Sequence, residues 1–438
     1  VHTSTAFLTD HYELTMVDAA LRAGTAHRRS VFELFARRLS GARRYGVVAG
    51  TGRLLEALEH FRFGDAELDF LRTGRVVSDA TIDWLADFRF SGDIWGYAEG
   101  DVFFPGSPVL TVESSFAEGV LLETIALSIL NSDSAIATAA SRMAHAANGK
   151  PLAEMGSRRT GEYSAVAAAR AAYIAGFSAT SNLEAGRSYG IPTMGTAAHS
   201  FTLLHDSERD AFEAQVAALG TDTTLLVDTY DIEQGVRTAV EVAGPELGAV
   251  RIDSGDLPVV VARVRQLLDE LGATRTRITV TNDLDEHTVA VLTASPVDSF
   301  GVGTSVVTGS GTPTMGMVYK LVAHENAEGA WVSVAKASTD KASVGGRKRV
   351  RRTFDRRGVA TAEVLLLTDG PDFEAESLAP ASRDVLVPLV ASGAVLPGHT
   401  GEEGIAAARE RHRARVAELP PIAMSLTRGD PAIPTEYR

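Results

Sequence analysis

Gly248-Ala249-Val250-Arg251-Ile252-Asp253-Ser254-Gly255-Asp256 begins apolar, turns polar at Arg251 and is followed by an amphipathic run. Gly248 to Val250 suit a short buried strand, and the polar residues fall where it would open into a loop. Asp256 then caps a predicted helix with Pro258 in its first turn and Val260, Val264, Leu267, Leu268 and Leu271 on one face. The same unit of strand, polar loop and helix recurs from Pro151 onward. Leu152-Ala153-Glu154-Met155 leads into Gly156-Ser157-Arg158-Arg159, and Gly176-Phe177-Ser178-Ala179 into Thr180-Ser181-Asn182. Pro192-Thr193-Met194-Gly195 leads towards His199, and Thr224-Leu225-Leu226-Val227 into Asp228. Ile278-Thr279-Val280 leads into Thr281-Asn282-Asp283, and Ser299-Phe300-Gly301-Val302 into Gly303-Thr304-Ser305. Seven such runs predict an irregular, TIM-like parallel α/β barrel short of eight strands. The rival is an open doubly wound sheet. The barrel is favoured because it delivers Arg158, His199, Arg251, Asp253 and Asp283 to one mouth, whereas an open sheet would spread them along a line.

The flanks read differently. Thr9 and Asp10 cap a helix to about residue 22, residues 30–35 alternate like a strand, and Gly50-Thr51-Gly52 opens a helix over 53–60. Short β-type runs between 88 and 113 are separated by turns at 96–101 and 105–108. These predict a small α+β N-terminal domain. Residues 119–146 are strongly apolar, but Glu123, Asn131, Asp133 and Arg142 interrupt them, so buried helices are expected rather than a membrane span. After Ser305 come a glycine-rich loop at 309–317, a strand at 318–322, a basic segment at 336–352, strands near 353 and 364–367, and a charged helix at 402–419. The expected organisation is 1–130 as the N-terminal domain, 131–308 as the barrel, and 309–438 packing back on the first domain to complete it.

Hydrophobic content of 45% and charged content of 22% over 438 residues describe an ordinary globular protein. A net charge of -14 argues against nucleic acid or an anionic membrane as general partner, though not against a local cationic pocket. With no cysteine, disulfides, thiolate metal sites and a cysteine nucleophile are excluded. No signal peptide is apparent, so a cytoplasmic location is expected, and a residue or two are expected to precede Val1.

His199 stands between two alanines and Ser200, which leaves room for a ligand to reach the imidazole. It can serve as general base, metal ligand or phosphoryl acceptor, or as a loop histidine bonded to backbone. A zinc site is poor, because no second histidine stands at ligand spacing. Arg158, Arg159 and Arg251 suit carboxylates or phosphates, and the Gly301-Val302-Gly303-Thr304-Ser305 turn suits a phosphate. Asp253 and Asp283 can hold ribose hydroxyls or Mg²⁺ with its waters, or simply cap loops. Tyr12 shares a helix face with Met16, where packing is the ordinary explanation.

Eight stretches in order carry a resemblance. They are Thr9-Asp10-His11-Tyr12-Glu13-Leu14-Thr15-Met16, Glu154-Met155-Gly156-Ser157-Arg158-Arg159, Ser181-Asn182, Gly195-Thr196-Ala197-Ala198-His199-Ser200-Phe201, Arg251-Ile252-Asp253-Ser254-Gly255-Asp256, Thr281-Asn282-Asp283, Phe300-Gly301-Val302-Gly303-Thr304-Ser305 and Val318-Tyr319-Lys320-Leu321-Val322. Together they resemble the nicotinate phosphoribosyltransferase family of type II phosphoribosyltransferases. The resemblance implies that nicotinate and 5-phosphoribosyl 1-diphosphate (PRPP) give nicotinate mononucleotide and diphosphate, coupled to ATP hydrolysis, with Mg²⁺ as the metal and its ligands unassigned. It implies phosphorylation of His199 by ATP, Arg251 beside the pyridine carboxylate with Thr196 and Ser200 nearby, and Arg158 on the substrate side. Asp253 and Asp283 fall on the ribose side, and Gly303 and Thr304 in the 5′-phosphate loop. Tyr12 would stack on the pyridine from the partner subunit, making the site a product of a homodimer. One departure is Ala139, where the resemblance implies a lysine in the stretch 136–142; Arg142 is the residue available to compensate. A nicotinamide enzyme is the nearest rival, and Ser181-Asn182 argues against it because an aspartate is implied there. A quinolinate enzyme would lack the histidine, and a non-catalytic regulator would not need His199, Arg251, Asp253 and Asp283 together.

Overall fold

The computed structural model describes residues 4–335, 344–368 and 381–438, so the part of the basic segment at 336–343 lies outside the described residues. Internal contacts divide the chain into two units, Ala139–Pro313 and a second built from Val1–Thr138 with Thr314–Arg438.

In the unit Ala139–Pro313, six strands make one parallel sheet. Their order is Ala179–Thr180, Leu152–Glu154, Ser299–Val302, Arg277–Val280, Ala249–Ile252 and Thr224–Leu226. The first strand therefore lies beside the last, with Leu152 opposite Phe300 and Glu154 opposite Val302. In a doubly wound sheet those two strands lie apart, so this pairing is the mark of a curling sheet. The strand expected at 192–195 shrinks to one bridge, Thr193 opposite Thr180. Thr180 donates its N–H to Pro192 O at 3.0 Å, and Met194 donates to Thr180 O at 2.9 Å. Pro192 has no N–H with which to extend the ladder. Among the described residues nothing pairs Thr193 with Thr224–Leu226, so the sheet is a curled parallel half-barrel and the closed ring of a TIM-like barrel is not formed.

Its strands are held close by small residues. A Cβ on Gly301 would lie 2.6 Å from Thr281 Cγ2 and 2.7 Å from Met155 Sδ, so only glycine lets these strand ends approach. Helices cross between the strands, and Ser207, Asp231 and Asp285 cap three of them by accepting the N–H of Asp210, Gln234 and Thr288. Asp256 occupies the N-cap of Leu257–Glu270, but its side chain makes no cap hydrogen bond, contrary to expectation.

In the second unit a seven-stranded antiparallel sheet runs Trp331–Ser333, Met317–Glu325, Arg29–Ala36, Pro108–Ser115, Asp93–Tyr97, Leu386–Ala391 and Ala394–Val395. Strands from both ends of the chain thus share one sheet, and Phe32 stacks on Tyr319 with ring centroids 5.0 Å apart. A four-stranded sheet in the same unit contains Arg347–Phe354, which alternates between less and more buried positions. Its basic residues are partly internal. Lys348 pairs with Glu33 at 2.7 Å, and Arg352 with Glu363 at 2.6 Å and Asp101 at 3.2 Å. Part of the positive charge read in this segment therefore goes into buried ion pairs.

The apolar stretch forms the helices Phe116–Val120 and Glu123–Ala146. By length and composition Phe116–Ala146 could cross a membrane, but 67% of its apolar window is buried in the protein, as in a core helix.

Candidate active site

The C-terminal ends of four neighbouring strands in Ala139–Pro313 enclose a cavity of about 170 Å³. Arg158 and Arg159 reach it from the 3₁₀ turn after Leu152–Glu154, and Arg251 and Asp253 from Ala249–Ile252 and its loop. Thr281, Asn282 and Asp283 follow Arg277–Val280, and Gly303 and Thr304 follow Ser299–Val302. Three arginines against two aspartates leave a net positive lining in a chain of net charge -14.

Arg251 is held on three sides. Its Nε donates to Thr281 Oγ1 at 3.1 Å, and its Nη1 to Thr196 Oγ1 at 2.9 Å and Ala197 O at 3.2 Å. Nη2 stands 3.8 Å from Asp253 Oδ2. Burial pulls the guanidinium below its usual range, and Asp253 and Asp228 oppose that pull. Thr281 passes the contact on, donating its hydroxyl to Asp253 Oδ1 at 2.6 Å. A rigid guanidinium fork is thereby oriented before any ligand arrives.

His199 opens the helix His199–Leu204. Its Nε2 lies 3.0 Å from Asp228 Oδ1, and Asp228 Oδ2 accepts the Asp253 N–H at 2.8 Å and the Ser254 hydroxyl at 2.7 Å. His199 is thus linked to the cavity loop through Asp228. Asn282 has φ +106°, a conformation that favours glycine, and its Oδ1 accepts the Asp283 N–H at 2.8 Å.

Of the residues singled out from sequence, Arg158, Arg251, Asp253, Asp283, Gly303 and Thr304 line the same cavity. Thr196 joins them through Arg251, and His199 through Asp228. Ser200 is exposed and does not line the cavity. Tyr12 belongs to the other unit, on the helix His11–Arg22, where burial and then Glu123 and Glu13 push its hydroxyl up to about 12. Asn182 caps the helix Leu183–Tyr189 and donates its amide to Ser157 Oγ at 3.0 Å, so it does not reach the cavity itself. Arg142 is buried against Glu286, away from the lining.

Sequence reasoning passed over Asp228 and Thr281 as working residues. Both stand at the polar end of a strand, which was the signal available. Arg159, to which the resemblance gives no role, lines the cavity beside Arg158.

Residues 7–131 match the nicotinate phosphoribosyltransferase (NAPRTase) N-terminal domain, and residues 151–364 the nicotinate phosphoribosyltransferase (NAPRTase) family. The chain is 55% identical over 436 residues to the nicotinate phosphoribosyltransferase pncB1 of Mycobacterium tuberculosis, covering 98% of this chain and 94% of that one. It is 37% identical over 359 residues to the nicotinate phosphoribosyltransferase of Bacillus subtilis, covering 79% and 73%. The structure matches human nicotinic acid phosphoribosyltransferase with a TM-score of 0.82 at 25% identity, over 98% of this chain and 97% of that one. The chain belongs to the nicotinate phosphoribosyltransferase family.

Proposed function

We propose that the protein transfers the phosphoribosyl group of PRPP to nicotinate, in the synthesis of NAD from the free pyridine acid, and couples this to ATP hydrolysis through His199. The observation that carries the reading is Arg251, fixed by Thr196, Ala197 and Thr281 beside Arg158 and Arg159 in a cationic cavity. Such a guanidinium suits the ring carboxylate, and the neighbouring arginines suit the diphosphate.

The pyridine nitrogen attacks the anomeric carbon of PRPP as its bond to the diphosphate oxygen breaks, giving nicotinate mononucleotide and diphosphate. Positive charge develops on the ribose in an oxocarbenium-like transition state, so catalysis is positioning and electrostatics. Asp253 and Asp283 face the ribose in this reading, and Gly303 and Thr304 the 5′-phosphate. In the coupled step His199 takes the terminal phosphoryl group of ATP, releasing ADP, and water later returns it as phosphate. Asp228 orients the imidazole and supports the charge it gains.

Mg²⁺ belongs to this reading as a counter-ion to substrate phosphates, whose charge it neutralises when bound. Among the described residues no group of three or more His, Asp or Glu is arranged to hold a metal. The two cavity carboxylates, Asp253 and Asp283, would hold such an ion. Tyr12 completes the site from the partner subunit of a homodimer and covers the pyridine ring.

A steady-state assay with nicotinate, nicotinamide and quinolinate, each with and without ATP, tests the proposal. Nicotinate is expected to be used far better than the other two, with ATP raising its rate. Preference for nicotinamide, or no response to ATP, would overturn the corresponding half.

A further inference from the structure

Glu286 stands behind two of the cavity's loops at once. It is the first residue of the helix Glu286–Leu292, three positions after Asp283, and its side chain is only 8% exposed. Its Oε2 accepts the Ser310 hydroxyl at 2.6 Å. Its Oε1 faces Arg142 Nε at 3.2 Å, and the Arg142 side chain is 5% exposed. Ser310 lies in the turn that ends the short helix Thr304–Val307. Its N–H returns to Ser305 O at 2.7 Å, and the Thr308 hydroxyl donates to Thr304 O at 2.8 Å. Gly309, Ser310 and Gly311 have φ of 60°, 53° and 76°, a left-handed run that glycine enters more readily than serine. A serine in the middle of that run is explained by its hydroxyl.

We infer that Glu286 is a positioning residue that fixes the spacing between Asp283 and the Gly303–Thr304 loop, with Arg142 anchoring its carboxylate from behind. The inference rests on the reading that Gly303 and Thr304 hold the 5′-phosphate of PRPP. A charge-assisted hydrogen bond in a dry place is short and directional, so it transmits position between the elements it joins. Here it joins the loop after Arg277–Val280 to the turn that follows the loop after Ser299–Val302. Arg142, the residue available to replace a lysine near Ala139, thus acts through Glu286 rather than on substrate.

Ser310→Gly removes the hydroxyl while suiting the local φ. The KM for PRPP is expected to rise about five- to tenfold, with kcat and the nicotinate KM changing less than about twofold and Tm not lowered. Glu286→Gln should keep most of the PRPP affinity, since its amide accepts from Arg142 and donates to Ser310, whereas Glu286→Ala should not. Thr304→Ala is the control on the loop itself. If Thr304→Ala raises the PRPP KM and Ser310→Gly does not, the positioning role is overturned while the phosphate loop stands. If Thr304→Ala has no effect on PRPP, the loop reading fails and the inference falls with it. A fall in Tm with equal losses for PRPP and nicotinate in Ser310→Gly would mark a purely structural contact and overturn it as well.

Discussion

His199 Nε2 lies 3.0 Å from Asp228 Oδ1, and the far oxygen of Asp228 is held by the Asp253 N–H and the Ser254 hydroxyl. The Asp228 side chain is wholly buried while that of His199 is 40% exposed, so the carboxylate is the fixed member of the pair. An imidazole that donates from Nε2 to a carboxylate keeps its Nδ1 lone pair for attack. Asp228→Asn is expected to lower the ATP-dependent rate on the order of 100-fold while sparing ATP-independent transfer. His199→Ala should abolish ATPase activity and the ATP-stimulated rate, leaving slow transfer without ATP. Acid-labile phosphate trapped equally on wild type and His199→Ala would show that another group is phosphorylated.

Arg251→Ala should raise the nicotinate KM more than it lowers kcat, because a contact to the ring carboxylate serves ground and transition states alike. Losing a charge-assisted hydrogen bond is worth on the order of 1.5–3 kcal/mol. Thr281→Val, which removes the support of Arg251 Nε and the hydroxyl bonded to Asp253, should produce a smaller change of the same kind. Nicotinamide has no carboxylate and should lose less in both variants. Equal losses for both substrates would mean that Arg251 binds phosphate or holds the loop instead.

The parallel sheet and much of the cavity were legible because their signal is periodic and local. Each strand ends in polar residues, and the half-barrel gathers six of the residues named from sequence, Arg158 and Thr304 among them, around one cavity. What escaped depends on contacts between segments distant in sequence. Nothing around Asp228 distinguishes it from Asp231, yet one reaches His199 and the other caps the helix Ile232–Ala243. The strand at 192–195 was over-read because its residues are apolar enough, while Pro192 limits the pairing it can make. The sequence offers Arg142 as a substitute for the lysine absent at Ala139, and its partner, Glu286, lies 144 positions away, beyond any local pattern.

Glu13 gives a pH dependence. Burial pushes its carboxyl up to about 7 from 4.5, against the Thr124 hydroxyl and N–H that favour the charged form. A carboxyl raised in the folded state stabilises most fully below its unfolded pKa, and that stability is lost as pH rises through the folded value. The contribution of Glu13 to stability should therefore decline between about pH 4.5 and pH 7, while His412, which burial pushes down to about 4 from 6.5, contributes in the opposite sense. Glu13→Gln should remove its own part of the slope, and Glu208, also raised to about 7, should keep another. Thermal melts of both proteins from roughly pH 5 to pH 8 check this, with the glutamine variant gaining relative to wild type as pH rises. A constant difference across that range would mean that Glu13 titrates normally.

Tyr12 gives the sharpest test of assembly. It is 44% exposed on the helix His11–Arg22, in a different unit from the cavity, and exposure of that size leaves its ring available to a neighbouring chain. If the ring covers nicotinate in the partner's site, Tyr12→Ala should weaken nicotinate binding about tenfold with little change in Tm, since stacking adds roughly 0.5–1.5 kcal/mol beyond area burial. Mixing Tyr12→Ala with His199→Ala protomers then separates the geometries. In a heterodimer with shared sites, both lesions fall in one site and the other is intact, so ATP-coupled activity at low nicotinate should reappear on mixing. If Tyr12 served the site of its own chain, each heterodimer site would carry one lesion and no activity would return. Subunit exchange followed by labelled protomers, with activity still absent, would return Tyr12 to ordinary packing.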